Sequence, residues 1–323
     1  MKTKTLLRIL LVALALVFLS SASVMAAAYP EKPITLIIPL GAGGSHDLNA
    51  RIFSSVIPTY LEQPMVIKLM PGAGGQTGTA AAIKARPDGY TLIFSHNFID
   101  QLQPVVEKLP YDTTQALTTV WRLNYGPPCF YGPSDRPWKT LQEMLDYGKK
   151  NPGKLKFATT GQWGAGFTPG AFVLTRAGVD ANYIPYQGGG PALQAVLAGD
   201  ADFTVGFPAQ GLPHMKTGKL RFYTIGAEKR LKEAPDIPTL PELGYPVDSL
   251  LMSRIVLTPR GTPQDRIDIL REAFRKLYKD KTFLNLMDSI GENVEYMDGP
   301  DYEKVRARQK EEYTALVKAI TGK

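Results

Sequence analysis

The chain has 323 residues, of which 44% are hydrophobic and 21% charged, and its 37 Lys and Arg outnumber its 30 Asp and Glu. This composition excludes intrinsic disorder, collagen-like repeats and a coiled coil, and the length predicts about two domains. Cys129 is the only cysteine in the sequence, which excludes an intrachain disulfide and a cysteine-rich metal site.

The first 28 residues have the pattern of a secretory signal peptide: three cations and no acid, an apolar run over 9–19, then small residues. That run is shorter than the roughly 20 residues of a membrane-spanning helix, and an uncleaved anchor is the alternative. We expect cleavage near Ala26 or Ala28, which removes the three cations and lowers the formal net charge from +7 to +4. The sequence thus predicts a periplasmic protein without a nucleic-acid partner, and a secreted protein is the other option.

Three times along the chain, an apolar strand-like run ends in a glycine-rich loop that leads into a helix-like stretch. The predicted strand, loop and helix are 34–39, 41–47 and 48–61 in the first unit, 65–69, 71–78 and 79–85 in the second, and 182–186, 187–190 and 191–198 in the third. Strands that alternate with short helices are typical of βα units and of a mostly parallel sheet.

Further periodic segments complete the predicted α/β fold. They are strands at 90–95, 156–159, 202–206, 220–225 and 255–257, and helices at 141–150, 262–279, 281–290 and 301–320. The last helix is strongly charged, so we expect it on the surface.

Turn formers at 125–133 and 250–261 indicate two crossings between lobes, which would act as hinges. Lobe 1 then comprises residues 29–130 and 255–323, and lobe 2 comprises residues 131–254. Such a layout places a cleft between the lobes, where small ligands often bind.

The glycine-rich loops have the chemistry of anion sites. A loop that leads into a helix start presents unpaired N–H groups and the positive end of the helix dipole, which bind phosphate, sulfate or carboxylate. A tight turn explains any one loop alone, whereas three such loops in an exported chain favour a binding cleft. Asp47 either caps its helix, holds the loop, or accepts a hydrogen bond from the ligand.

Catalytic and nucleotide sites fit the sequence poorly. The glycine spacing matches neither a phosphate-binding P-loop nor a dinucleotide fingerprint. Ser45, His46 and Asp47 are adjacent and cannot converge as a relay, and no G-x-S-x-G motif occurs. The histidines, His46, His96 and His214, lack zinc-site spacing. We therefore expect no cofactor and no metal, with a periplasmic hydrolase or isomerase as the alternative.

Taken together, the motifs resemble one family. The order and sequence of these motifs are similar to those of the extracytoplasmic solute receptors of tripartite tricarboxylate transporters, the Bug receptors. The motifs are GAGGSHDLNARIF, PGAGG, ARPDGYTLIF, PYQGGGPALQAVLAGDADF and IPTLPELGYP. The resemblance covers essentially all of the chain after residue 28. It implies a two-lobed periplasmic-binding-protein fold with a ligand cleft between the lobes, and a non-catalytic monomer that delivers a small organic acid to membrane permease subunits.

The resemblance also implies which residues bind the acid. In the family, one carboxylate is gripped mainly by backbone amides and waters. From lobe 1 the corresponding positions are Gly43, Gly44, Ser45, His46, Asp47, Gly74 and Gly75. From lobe 2 they are Thr160, Gln162, Trp163, Gly164, Ala165, Gly166, Phe167, Gln187, Gly188, Gly189 and Phe207.

Departures from the family pattern concern the ligand. His46 replaces a small hydroxyl residue, the run 164–170 lacks a common histidine, and the run 204–209 lacks a common acid. Trp163, Phe167 and Phe207 add aromatic surface, so we predict a carboxylate with an aromatic ring or a longer apolar body in preference to citrate or aspartate. A ligand sensor for a two-component system is a further alternative.

Overall fold

The computed structural model describes residues 29–322, and the predicted signal peptide lies outside them. The chain divides into two units after residue 31, and the strands and helices of the fold belong to the second, compact unit. None of the helices within 29–322 is long and apolar enough to cross a membrane.

The strands of the second unit are β1 (Ile34–Ile38), β2 (Met65–Leu69), β3 (Thr91–His96), β4 (Leu117–Gly126), β5 (Cys129–Pro133), β6 (Leu155–Thr159), β7 (Ala181–Pro185), β8 (Phe203–Gly206), β9 (Leu220–Ile225), β10 (Met252–Pro259) and β11 (Met297–Asp298). The helices are α1 (Ser45–Val56), α2 (Pro58–Leu61), α3 (Gln76–Ile83), α4 (Gln103–Val106), α5 (Thr113–Ala116), α6 (Leu141–Lys150), α7 (Thr168–Ala177), α8 (Gly189–Leu197), α9 (Pro208–Lys216), α10 (Gln264–Tyr278), α11 (Lys281–Ser289) and α12 (Gly299–Thr321).

The strands form two sheets. From here on, lobe 1 denotes the part of the chain around the six-stranded sheet, which includes β10 from Met252, and lobe 2 denotes the part around the five-stranded sheet, which includes β5 from Cys129. The six-stranded sheet of lobe 1 has the order β11-β4-β10-β3-β1-β2, and the five-stranded sheet of lobe 2 has the order β7-β6-β8-β5-β9. β1 is parallel to β2 and β3, and β6 is parallel to β7 and β8, as βα units require. The other ladders between these strands are antiparallel. The prediction of a mostly parallel sheet was therefore wrong, because the strands that connect the lobes run against the βα strands.

The chain passes from lobe 1 to lobe 2 through a short link and returns through a longer segment. β4 of lobe 1 ends at Gly126 and β5 of lobe 2 begins at Cys129, so Pro127 and Pro128 form the first link. The chain returns between the end of β9 and Met252, the start of β10. Turn formers predicted crossings at both places, with a strand only at 255–257, but tertiary pairing extends the strand: β10 is buried along its whole length between β3 and β4.

Stacked aromatic side chains mark the core of each lobe. In lobe 1, Trp121 stacks on Phe274 with ring centroids 4.4 Å apart. In lobe 2, Phe157 stacks on Phe203 at 4.5 Å. The first pair joins the sheet of lobe 1 to helix α10, and the second joins the neighbouring strands β6 and β8 of one sheet. Both keep the strand ends, and hence the loops that follow them, in place.

Helix α12 is not simply a surface helix, as its charge had predicted. Tyr302, Arg306, Tyr313 and Leu316 are buried, and Arg306 pairs with Asp100 at 2.7 Å. Tyr313 and Leu316 also belong to an apolar cluster that contains residues of both lobes, and the helix packs against α7 of lobe 2, so it contacts both lobes. The prediction was wrong for this inner face, because a charged residue fits a buried stripe when a counter-charge meets it there.

Asp100→Asn should lower the free energy of unfolding by about 3 kcal/mol, because it leaves the Arg306 guanidinium buried without its main counter-charge. Urea denaturation measures this change. Lys304→Gln on the same helix is the matched control, since the Lys304–Asp301 pair is 76% and 62% exposed and should contribute under about 1 kcal/mol. Equal effects of the two variants would contradict the structural role assigned to Asp100.

Candidate functional site

A small cavity lies between the lobes, at the ends of the βα strands. Its lining from lobe 1 is Leu40, Gly41, Gly44, Ser45, His46, His96 and Met252. Its lining from lobe 2 is Thr160, Ala165, Gly189, Val205, Gly206, Phe207 and Gln210. We call it the cleft cavity; its volume of about 20 Å³ holds roughly one water molecule.

Helix starts surround the cleft cavity. Ser45 begins α1, Gly189 begins α8, and Phe207 immediately precedes α9, and all three line the cavity. Each start carries N–H groups without intrahelical partners and the positive end of a helix dipole. Converging helix starts of this kind favour the binding of an anion without requiring a charged side chain.

Glycine loops of the two lobes touch beside the cavity. The Gly41 N–H donates to the Gln187 carbonyl at 2.8 Å, which links the loops directly. A Cβ built at Gly44 would lie 3.4 Å from the backbone nitrogens of Gly189 and Gly190. The absence of side chains at these positions thus allows the lobes to close until backbone meets backbone.

Asp47 holds its own loop. Its Oδ2 accepts a hydrogen bond from the Gly43 N–H at 2.9 Å, and its Oδ1 pairs with Arg51 at 2.9 Å. The side chain is buried but does not line the cleft cavity. The arrangement occupies the Gly43 N–H and places the following N–H groups at the start of helix α1.

A buried ion pair stands behind the cavity wall. Arg254 and Glu292 are both buried and form a bidentate pair, with N–O distances of 2.8 Å and 3.1 Å. The Arg254 guanidinium also donates to Ser45 Oγ and, at 2.9 Å, to Asn124 Oδ1. Glu292 Oε1 lies 3.4 Å from the Ala209 N–H of lobe 2. The pair therefore cancels its own charge while it fixes elements of both lobes.

Two buried histidines complete the lobe 1 wall, with ring centroids 5.0 Å apart. Burial, and then the charge of Arg254, lowers the pKa of His96 to about 3. Burial first, and then His96 and Arg254, lower the pKa of His46 well below its usual 6.5. His46 Nε2 lies 3.2 Å from Ser95 O, which can only accept, so this nitrogen carries the proton. Both side chains are therefore neutral at physiological pH.

Of the residues predicted from the sequence, seven line the cleft cavity: Gly44, Ser45, His46, Thr160, Ala165, Gly189 and Phe207. Gly74, Gln162 and Gln187 instead line a groove of about 360 Å³ between the same loops. The others, which line neither, are Gly43, Asp47, Gly75, Trp163, Gly164, Gly166, Phe167 and Gly188.

The aromatic residues divide in the same way. Phe207 lines the cavity, and the Arg254 guanidinium lies 5.3 Å from the centre of its ring. Trp163 and Phe167 pack against each other at 5.5 Å, and Phe167 against Tyr183 at 5.4 Å. Both are half-buried on lobe 2 and do not reach the cavity lining.

A larger cavity, of about 580 Å³, is lined in part by Glu292, the acid that pairs with Arg254. It is lined by the end of helix α11 and by the charged run 228–233. Its three cations, Lys229, Arg230 and Lys232, share the lining with five carboxylates, and Arg230 and Lys232 pair with Glu242 and Asp288. A helix end carries negative potential, so this cavity lacks the anion-binding character of the cleft cavity. Within residues 29–322, no cluster of His, Cys, Asp and Glu could hold a metal ion.

Comparison with known proteins now identifies the family. The model of the tripartite tricarboxylate transporter family receptor matches residues 50–321. The chain belongs to this family. The prediction of a Bug receptor, made from the sequence motifs, is thereby confirmed.

Relatives and solved structures of this receptor family support the assignment. The UPF0065 protein in the gbd 5' region of Cupriavidus necator is 30% identical over 298 residues, which cover 90% of this chain and 88% of that protein. The periplasmic binding protein BugD is 26% identical, with a TM-score of 0.85 and coverage of 90% and 98%. MatC from Rhodopseudomonas palustris, solved with bound malate, is 25% identical, with a TM-score of 0.83 and coverage of 90% and 100%.

Sequence patterns missed several residues of the receptor's cleft. The sequence shows His96 only as a histidine near a loop, and it predicts neither Gln210 nor Met252 in the lining. Arg254, which stands behind the wall, gave a signal: it is a charge inside an apolar strand. Gln210 gave none, because it lies inside helix α9 and the short loop before that helix contains no glycine pair.

The two neutral histidines should make the receptor sensitive to acid. Their pKa values in the folded protein lie below the unfolded value of 6.5, so the unfolded chain binds more protons as the pH falls. From pH 7 to pH 5, the free energy of unfolding should fall by about 2 kcal/mol through His96, and His46 should lower it further in the same direction. Urea denaturation at several pH values measures this slope.

His96→Gln should reduce the fall in the free energy of unfolding between pH 7 and pH 5 by the contribution of one histidine, about 2 kcal/mol. His214→Gln is the control, because His214 lies outside the cleft cavity on helix α9 and is only partly buried. A slope unchanged by His96→Gln would show that the receptor tolerates charge at this wall.

Proposed function

We propose that this receptor binds a small carboxylated organic compound in the periplasm and delivers it to the membrane subunits of a tripartite tricarboxylate-type transporter. The observation that carries the proposal is the convergence of the starts of α1, α8 and α9 on one cavity between the lobes. N–H groups at helix starts bind a carboxylate directly. Malate bound to the related MatC supports an organic acid as the ligand.

The lining supports a ligand with one carboxylate and an apolar body, aromatic or long-chain. Leu40, Val205, Phe207 and Met252 provide apolar surface. Arg254 is neutralised by Glu292, and the histidines carry no charge, so a second carboxylate at this wall would lack a cationic partner. Burying it unpaired costs several kcal/mol. Phe207 carries the aromatic part of the argument, since Trp163 and Phe167 lie outside the lining.

Entry of the ligand requires the lobes to separate. The cleft cavity is far smaller than the roughly 300–1,000 Å³ of typical small-ligand sites. The lobes would separate by a hinge motion at the link through Pro127 and Pro128 and at the return segment before Met252. A few residues at such places can absorb the change in backbone dihedral angles. The bound acid then stabilises the closed form, which is the form that permease subunits would distinguish from the open one.

A binding function without catalysis agrees with the side chains present. Ser45 Oγ accepts from Arg254, and His46 Nε2 donates to Ser95 O, so no base activates this serine. A hydrolytic relay needs a histidine that accepts the hydroxyl proton. We therefore propose a non-catalytic receptor that acts as a monomer.

Titration calorimetry with benzoate, octanoate, malate and citrate tests the ligand class. We expect benzoate or octanoate to bind more tightly than citrate, because the lining offers apolar contact and no second cation. An acid at about 100 times its Kd should stabilise the protein by about 2.7 kcal/mol, seen as a higher Tm. Tight binding of citrate alone would overturn the apolar-body proposal, and no binding of any acid would count against the receptor proposal.

Gly44→Val should weaken acid binding at least about tenfold, or about 1.4 kcal/mol. Gly44 has φ −79°, which any residue adopts, so the variant should fold. Its side chain would stand 3.4 Å from the Gly189 and Gly190 nitrogens and keep the lobes apart. Ala42→Val, at an exposed position of the same loop, is the control and should leave Kd unchanged.

A further inference from the structure

Gln210 is a lobe 2 side chain that reaches across the cleft. It is the third residue of helix α9, it is buried, and it lines the cleft cavity. Its Oε1 accepts a hydrogen bond from the Ser45 N–H of lobe 1 at 3.2 Å. Ser45 is the first residue of α1, so this N–H is one of the unpaired donors at the positive end of that helix.

The partners of the Gln210 amide fix which atom faces helix α1. Its Nε2 lies 3.3 Å from the Gly189 carbonyl, which can only accept. The Ser45 N–H can only donate, so the amide oxygen must point toward it. Nε2 also donates to the Tyr131 hydroxyl at 2.7 Å. One orientation of the amide therefore satisfies all of these contacts.

Glycines leave the space that the Gln210 side chain fills. A Cβ at Gly189 would lie 2.6 Å from its Oε1, and one at Gly206 would lie 2.7 Å from its Nε2. The amide takes up room beside the helix starts, and the cleft cavity that remains is about 20 Å³. A neutral carbonyl oxygen thus sits where the helix start would bind a carboxylate oxygen.

We propose that Gln210 is a latch that competes with the ligand. Its amide oxygen occupies the start of helix α1 in the closed receptor without ligand, and the bound acid takes its place. A carboxylate binds a helix start more strongly than a neutral amide does, so the acid displaces the latch. An anion that binds the helix start more weakly than the Gln210 amide does therefore fails to displace the latch. The inference rests on the proposed function, because it assigns the carboxylate to this helix start.

Gln210→Ala tests the latch with benzoate and malate as probes in titration calorimetry. Removing the competing hydrogen bond should tighten Kd about three- to tenfold. Gln194→Ala is the matched control, since Gln194 is exposed on helix α8 and should leave Kd unchanged. Gln210→Glu places a permanent carboxylate at the helix start and should weaken binding of the acid at least about tenfold.

A second readout needs no acid. Without ligand, Gln210→Ala should have a larger radius of gyration in small-angle scattering than the wild type, because one bond between the lobes is lost. The Ser45 amide should also exchange its hydrogen at least about tenfold faster. Tyr131→Phe keeps the stacking of this ring on Phe222 and removes the hydroxyl that holds Nε2, so it should shift both measurements in the same direction, but less.

The outcomes separate the two proposals. Weaker acid binding by Gln210→Ala would overturn the latch and make Gln210 a direct ligand contact. Unchanged scattering and unchanged Ser45 exchange would also overturn it. A third outcome is that Gln210→Ala opens the protein, but neither this variant nor the wild type binds benzoate or malate. That result would support the Gln210 latch between the lobes and would overturn the proposal that a carboxylate ligand competes with it. Tighter binding together with opening supports both.

Discussion

Arg254 and Glu292 form the interaction on which the geometry of the cleft depends. Removing both charges from water costs several kcal/mol per ion, so the pair is stable only where other groups complete its hydrogen bonds. Asn124 and Ser45 accept from the guanidinium, and Ala209 of lobe 2 lies beside the carboxylate. The pair thereby fixes the start of helix α1 and one point of contact between the lobes.

The neutrality of this pair decides how the cleft attracts an anion. Since Glu292 cancels Arg254 and burial keeps His46 and His96 uncharged, the attraction comes from helix dipoles and backbone N–H groups. Such groups bind one carboxylate well and offer little to a second. Under the proposed function, a receptor built in this way would select by shape and apolar contact at the rest of the ligand.

The fold could be predicted where local sequence agrees with tertiary packing. Strand β2 (Met65–Leu69) and helix α6 (Leu141–Lys150) have the predicted bounds. Helix α6 is capped by Thr140, whose hydroxyl accepts from the Glu143 N–H at 3.2 Å, and such a cap is visible in the sequence. The antiparallel strands β4 and β5 were missed, and β10 was predicted only at 255–257, because their turn-forming residues are overridden by pairing with distant strands.

By itself the sequence determined the βα units, the glycine loops at the strand ends and the family, since each depends on residues close together in the chain. Only the tertiary structure decided which of those loops line the cleft cavity. It also brought Gln210 to Ser45 across 165 residues, and Arg254 to Glu292 across 38. No local pattern encodes such contacts, because each requires both lobes, or two separate elements, to be folded before the partners meet.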